Sequence, residues 1–187
     1  MSAGRRRVLA MVKRNLLVQM RNPGHWFLLI VLPLVDGLLF GSIGVAFGEG
    51  EAPVQLLVTG IMLFHLIWQL TLAGSLGLLE EVWSRNVMNL IATPLTEREF
   101  MGSLGIVGLL RTVVSVTVIA LVGLGFYAVA PDSAGWVLVP AAAVLLLFGW
   151  AITLFVTALT LQYGDSAEVF SWGTLVLLMP LSGVFYP

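Results

Sequence analysis

Five long apolar runs constrain the fold of this chain more than any other feature of its sequence. They cover residues 26–47, 54–79, 101–130, 136–161 and 169–184. A helix needs about 20 mostly apolar residues to cross about 30 Å of hydrocarbon at about 1.5 Å per residue. Barrel strands are disfavoured because the runs lack an alternating polar pattern. The sequence therefore predicts an all-α integral membrane protein with about five transmembrane helices, the last of them short and interrupted by Pro180.

Composition agrees with a membrane protein and excludes several kinds of site. Hydrophobic residues make up 59% of the 187 residues, charged residues only 10%, and the mean hydropathy is +1.01. Cysteine is absent, which excludes a disulfide, a thiolate metal site and a thiol nucleophile on this chain. The only two histidines, His25 and His65, lie on different segments, so no metal site is expected. A net charge of −1 does not indicate a nucleic-acid partner.

The basic residues predict the orientation of the helices. Six precede the first apolar run, and Arg85 and Arg98 lie between the second and third runs. The connections on the other side, residues 48–53 and 131–135, contain none. Because short loops that carry Lys and Arg stay in the cytoplasm, we expect a multi-pass protein with a cytoplasmic amino terminus. Arg111, inside the third run, is expected near the inner interface.

The segment before the first run, residues 1–25, has the pattern of an amphipathic helix. Arg7, Arg14 and Arg21 recur every seven residues on one stripe, opposite an apolar face. Such a helix suits the cytoplasmic membrane interface, where anionic headgroups attract the stripe. The alternative is that these charges only set the topology. Residues 26–187 then form the transmembrane domain.

The connection WSRNVMNLIATPLTEREF, between the second and third runs, is too polar to cross a membrane. The apolar residues of this connection recur at helical spacing, at positions i, i+4, i+7 and i+8, and they are Trp83, Val87, Leu90 and Ile91. This spacing predicts a short amphipathic helix over about 81–93 on the cytoplasmic side. A surface hairpin that only links two spans is the simpler interpretation. A shaped helix in this place has a use only if a partner binds it.

Charged and helix-breaking residues mark the ends of this short helix. Glu80 and Glu81 stand at its predicted start, where negative charge favours the helix dipole, and Pro94 prevents its continuation. Thr96 and Glu99 have the spacing of a capping box at the start of the next helix. The sequence thus predicts a helix, a break and a capped helix.

Polar residues inside the first two runs are the candidates for a substrate path. Asp36 lies about ten residues into the first run, at a depth that is costly for a carboxylate. His65 and Gln69 lie four residues apart on the second run and form a polar ridge. Two interpretations stay open: these side chains line a path for substrate, or they form hydrogen bonds that tie the helices together.

The sequence contains no pattern for ATP binding or catalysis. The phosphate-binding loop GxxxxGK[ST] does not occur, so ATP is not expected to bind here in that way. Asp165 belongs to a connection and has no assignable aspartate partner within the membrane, which makes an intramembrane enzyme a weak alternative. No catalytic residue and no cofactor is assigned to this chain.

Three segments resemble bacterial ABC transporter permeases of the type-2 exporter family. LEEVWSRNVMNLIATPLTEREF resembles the segment between their second and third spans, where an acidic residue, a short helix and a TPL or SPL turn recur. RNPGHWFLLIVLPLVDGLLFG resembles their first span, and LSGVFYP is a further match. The resemblance extends from about Val12 to Pro187.

The resemblance implies partners and gives the short helix a role. The helix over 81–93 would be the coupling helix, seated in a groove of a separate ATP-binding-cassette ATPase that carries ATP and Mg, and the amino-terminal helix would lie beside it. A second permease subunit would complete a homodimer or heterodimer. The implied coupling residues are Glu80, Glu81, Trp83, Arg85, Val87, Asn89, Leu90 and Pro94.

The function implied by the resemblance is export through the bacterial cytoplasmic membrane. An amphipathic or lipid-linked substrate, such as a drug, an antibiotic or a glycan, would move outward at the expense of ATP hydrolysed by the partner. The family typically has six spans, so we expect this chain to stop before the last one. The alternative from another class is a membrane scaffold or assembly factor that transports nothing.

Overall fold

Helices make up almost all of the chain in the computed structural model, which describes residues 3–48, 50–129 and 135–181. No strand occurs within those ranges, which confirms the predicted all-α class. In chain order the helices are α1 (Ala3–Arg21), α2 (Pro23–Phe47), α3 (Glu51–Trp83), α4 (Val87–Ile91), α5 (Glu97–Tyr127), α6 (Leu138–Tyr163) and α7 (Glu168–Leu181).

Four of the helices are long and apolar enough to cross a membrane. They are α2, α3, α5 and α6 with the turn that precedes it, and they match the first four predicted runs. The fifth run corresponds to α7, which has 14 residues and is shorter than the roughly 20 needed for a perpendicular crossing. Residues 130–134 and 182–187, which hold parts of a predicted loop and of the fifth run, lie outside the described residues.

Helix α3 is the centre of the bundle. Of its most apolar 18-residue stretch, 72% is buried, against 17% for the stretch that includes α6. The helices α2, α5, α6 and α7 all pack against it. Close approach to α6 depends on glycine, because Gly74 of α3 faces Thr153 and Gly149 of α6 faces the Ile67 backbone. The buried polar residues of α3 therefore face other helices, and they are His65, Gln69, Thr71, Ser75 and Glu81.

Helix α2 contains a π-helical turn over Phe27–Val31. Its final hydrogen bond runs from the Leu32 N–H to the Phe27 carbonyl. In that register the next N–H would bond to the Leu28 carbonyl, but Pro33 has no N–H. The side chain of Gln69 on α3 donates to this carbonyl at 2.9 Å instead. The Leu28 carbonyl, which Pro33 leaves without a backbone donor in α2, is thus hydrogen-bonded by a side chain of α3.

Glycine packing between α3 and α6 generates a test of the fold. We expect Gly74→Ala to destabilise the protein by about 1–3 kcal/mol, the usual range for overpacking, because the added methyl would overlap the Thr153 side chain. Gly102→Ala on α5 is the matched control, since no atom lies within 4 Å of its added methyl. Thermal unfolding of the purified protein in detergent measures both, and equal midpoints would contradict the packing.

Candidate functional site

The connection between α3 and α5 differs from the predicted single helix over 81–93. Helix α3 continues to Trp83, so Glu80 and Glu81 lie at its carboxyl end and not at the start of α4. The chain then turns through Arg85, whose φ of +52° is left-handed, and α4 is only five residues long. The predicted start at residue 81 was therefore wrong.

Glu81 and Asn86 explain why the helix breaks. The Asn86 N–H bonds to the Glu81 carbonyl at 2.9 Å, and the Asn86 side-chain amide donates to the Glu81 carboxylate at 2.6 Å. These bonds close a turn that competes with a continued helix. Glu81 is also buried at the carboxyl end of α3, where the helix dipole disfavours negative charge. It therefore needs a cation, and Arg14 of α1 supplies one through both of its terminal nitrogens.

The break changes which apolar residues α4 presents. Trp83 is exposed but belongs to α3, so it does not continue the α4 face as the helical spacing predicted. Leu90 packs inward against the cluster around Met11 of α1. Met88 and Ile91 are instead 76% and 71% exposed. The outward apolar surface of α4 thus consists of Ile91, which belonged to the predicted apolar face, and Met88, which did not.

Helix α1 is joined to this region by two ion pairs. Besides the pair of Arg14 with Glu81, Arg7 donates to both oxygens of Glu99 at 2.9 and 2.7 Å. The carboxylate raises the pKa of the Arg7 guanidinium above its ordinary value through these bonds. Arg21 is exposed at the end of α1. Two of the three arginines of the predicted stripe therefore meet carboxylates of the protein itself.

Glu99 also forms the predicted capping box. Its carboxylate accepts from the Thr96 N–H at 3.0 Å, and its own N–H donates to the Thr96 hydroxyl at 3.3 Å. One carboxylate thus begins α5 and holds α1 at the same time. We call the end of the bundle that contains α1, α4 and the start of α5 the basic end.

A groove of about 400 Å³ lies between α1 and the α4 connection. Ala10 and Met11 of α1 line it, and Asn89, Leu90 and Pro94 line it from the α4 connection. Three implied coupling residues therefore share one concave surface. Among the others, Arg85 is exposed at the break and Val87 is half-buried.

Farther from the basic end, buried polar side chains join the spans in two rungs. The deep rung is centred on His65, whose Nε2 lies 3.0 Å from the Asp36 carboxylate and whose Nδ1 lies 2.8 Å from the Ser115 hydroxyl. It links α2, α3 and α5 at a level where His65 and Ser115 are almost fully buried. These contacts agree with the interpretation in which the polar ridge forms hydrogen bonds that tie the helices together.

The shallow rung is centred on Gln69. Its amide nitrogen donates to the Leu28 carbonyl, and its amide oxygen accepts from Arg111 Nε at 3.1 Å. Arg111 Nη1 in turn donates to Gln19 of α1 at 3.2 Å. Sequence reasoning did not place Arg111 in a site, although its spacing of four residues to Ser115 matches that of Gln69 to His65.

The deep rung has the residue types of a hydrolase triad but not the surroundings. Ser115 has no exposed surface, and nucleophilic catalysis needs room for a substrate carbonyl beside the hydroxyl. The cavities of about 400, 90, 520 and 140 Å³ in the described part of the chain are lined by other residues. The contacts of the deep rung hold α2, α3 and α5 together.

Comparison with known proteins gives one match. The family model described as ABC-2 type transporter matches residues 6–187, which is nearly the whole chain. No curated protein and no solved structure matches the chain.

The deep rung generates a second test. We expect Asp36→Asn to leave the thermal midpoint nearly unchanged, because an amide oxygen still accepts from His65. Asp36→Leu removes the acceptor and should lower stability by about 1 kcal/mol, as for one lost hydrogen bond. Thermal unfolding in detergent compares the two variants. A loss of equal size in both would mean that the charge of Asp36, and not its hydrogen bond, stabilises the rung.

Proposed function

The chain belongs to the ABC-2 type transporter family, and from this premise we propose that it is the membrane subunit of an ATP-driven exporter whose α4 docks into a separate ATPase subunit. A multi-pass membrane permease follows from the family match and the four long apolar helices.

The observation that carries the proposal is an exposed apolar pair on a firmly held connection. Met88 and Ile91 point away from the bundle on α4, which lies outside the four long apolar helices. Large apolar side chains exposed in such a place are typical of anchors that fill a pocket of a partner. The ATPase groove implied by the family is a suitable pocket for them.

The contacts of α4 make it suitable for transmitting motion. Its amino end is bonded to the end of α3 through Asn86 and Glu81, and Leu90 packs into the α1 side. Arg14 binds the same carboxylate of Glu81 from α1. A displacement of α4 by the ATPase would therefore move α1 and the central helix α3 together, and α3 contacts every other spanning helix.

The proposed orientation places the basic end in the cytoplasm. The eight basic residues of that end favour this side, and the ATPase needs cytoplasmic ATP and Mg. Because the chain lacks the phosphate loop, hydrolysis belongs to the partner. We place the protein in the bacterial cytoplasmic membrane as half of a homodimer or heterodimer with a second permease subunit.

The proposed substrate class is amphipathic or lipid-linked. The cavities of about 400, 90, 520 and 140 Å³ are lined by residues other than Asp36, His65 and Gln69, and we place the path for substrate between two permease subunits. Drug, antibiotic and glycan substrates are all compatible with such a path.

The docking role of α4 generates a third test. We expect Met88→Asp to weaken co-purification with an ATP-binding-cassette ATPase from the same gene cluster by tenfold or more, because a carboxylate would enter an apolar pocket. Met88→Leu keeps the apolar surface and is the control. Unchanged association and unchanged ATPase stimulation in Met88→Asp would contradict docking through this face and would favour a scaffold that transports nothing.

The connection between α1 and α4 generates a fourth test. We expect Arg14→Ala to leave ATPase association intact but to reduce substrate-stimulated ATP hydrolysis several-fold, because Glu81 loses its cation and α4 its attachment to α1. Arg21→Ala removes an exposed charge from the same helix and should have little effect. The transmission role would be excluded if both variants retained full stimulation in proteoliposomes.

A further inference from the structure

Arg111 is a buried cation without a matching charge. Arg111 is 3% exposed, and its two hydrogen-bond partners, the side chains of Gln19 and Gln69, are neutral amides. No carboxylate lies within ion-pair distance of it in the described part of the chain. Glu80 acts on it electrostatically from farther away, while pairing with His25 at 2.9 Å. A buried cation without a counterion is unfavourable unless an anion binds beside it.

Two unsatisfied polar atoms lie on residues around one cavity. Arg111 Nη2 and His25 Nδ1 are buried and have no hydrogen-bond partner among the described residues. Both residues line a cavity of about 90 Å³, together with Gln19. An arginine carries five N–H donors and no acceptor. The polar side of the cavity is thus rich in donors and lacks an acceptor of matching charge.

The remaining walls of the cavity are apolar. They come from α1, α2 and α5 and include Leu16, Leu29 and Val114. Trp26 also lines the cavity and donates its indole N–H to the Met20 carbonyl at 3.0 Å. A tryptophan at the start of a span is typical of the headgroup level of a membrane. The cavity therefore lies where a lipid changes from charged headgroup to acyl chain.

We propose that this cavity binds the phosphate of an acidic phospholipid from the leaflet at the basic end, with Arg111 as its principal cation. Guanidinium pairs with phosphate through two parallel hydrogen bonds, and basic pockets between membrane helices bind such headgroups. The acyl chains lie along Leu29 and Val114. A free oxyanion would satisfy the donors equally but would leave the apolar walls unfilled.

This site holds α1 against the spans independently of any ATPase. Gln19 of α1, His25 of α2 and Arg111 of α5 all meet there, so a bound lipid contacts three helices at once. Its test therefore needs no partner protein and does not depend on the proposed transport activity.

Native mass spectrometry of the full chain, with phosphatidylglycerol and phosphatidylcholine added in equal amounts, tests the proposal. We expect the wild type to retain one phosphatidylglycerol molecule in preference to phosphatidylcholine. Arg111→Gln should weaken that preference about fivefold or more, in line with the loss of one cation at a lipid surface. Arg21→Gln removes a charge from the same end without touching the cavity and should keep the preference.

A second variant is needed because replacement of the buried Arg111 could itself prevent folding. Val114→Phe retains every charge and fills the cavity from an exposed position, and it should weaken the preference as Arg111→Gln does. Circular dichroism checks that each variant is folded. If Arg111→Gln does not fold, the lipid preference of Val114→Phe alone tests the site. An unchanged preference in folded Val114→Phe, or an equal loss in Arg21→Gln, would overturn the proposal. Displacement of the lipid by millimolar inorganic phosphate would assign the cavity to a free oxyanion and overturn the lipid as its occupant.

Discussion

The rest of the bundle depends on one constraint, that a polar group within hydrocarbon needs a partner from the protein. His65 and Gln69 of α3 meet that constraint by bonding to α2 on one side and to α5 on the other. The same hydrogen bonds allow Asp36 and Pro33 to lie inside a spanning helix. The Asp36 carboxylate needs a donor, and Pro33 leaves a backbone carbonyl of its helix without one. Glycine packing and hydrogen bonds from the hydroxyls of Thr71 and Thr153 hold α6 against α3. The polar rungs determine how α2, α3 and α5 are aligned along their axes.

Local features of the sequence predicted much of this arrangement. Hydropathy located four spanning helices, and the spacing of Thr96 and Glu99 predicted the cap of α5, since both depend on residues close in the chain. The polar ridge of His65 and Gln69 was visible from their spacing. Their partners were not, because Ser115 and Arg111 lie 50 and 42 positions away and only packing brings them close.

The short α4 shows why the remainder could not be predicted. Helical spacing favoured a continuous helix through residue 93, but the turn formed by Glu81 and Asn86 competes successfully with it. Glu81 tolerates this place only because Arg14, 67 positions earlier, binds it. The direction of Leu90 follows from the same packing of α1. An ion pair between distant residues thus decides which face of a five-residue helix is exposed.

The position of α3 also has a consequence for the order in which the protein is made. Its rung residues enter the membrane before their partners on α5, since Ser115 emerges from the ribosome 50 residues after His65. Asp36 and the Leu28 carbonyl are already present, so α2 and α3 form a hairpin whose polar side is half-satisfied. The insertion of α5 then supplies the remaining partners, Ser115 for His65 and Arg111 for Gln69.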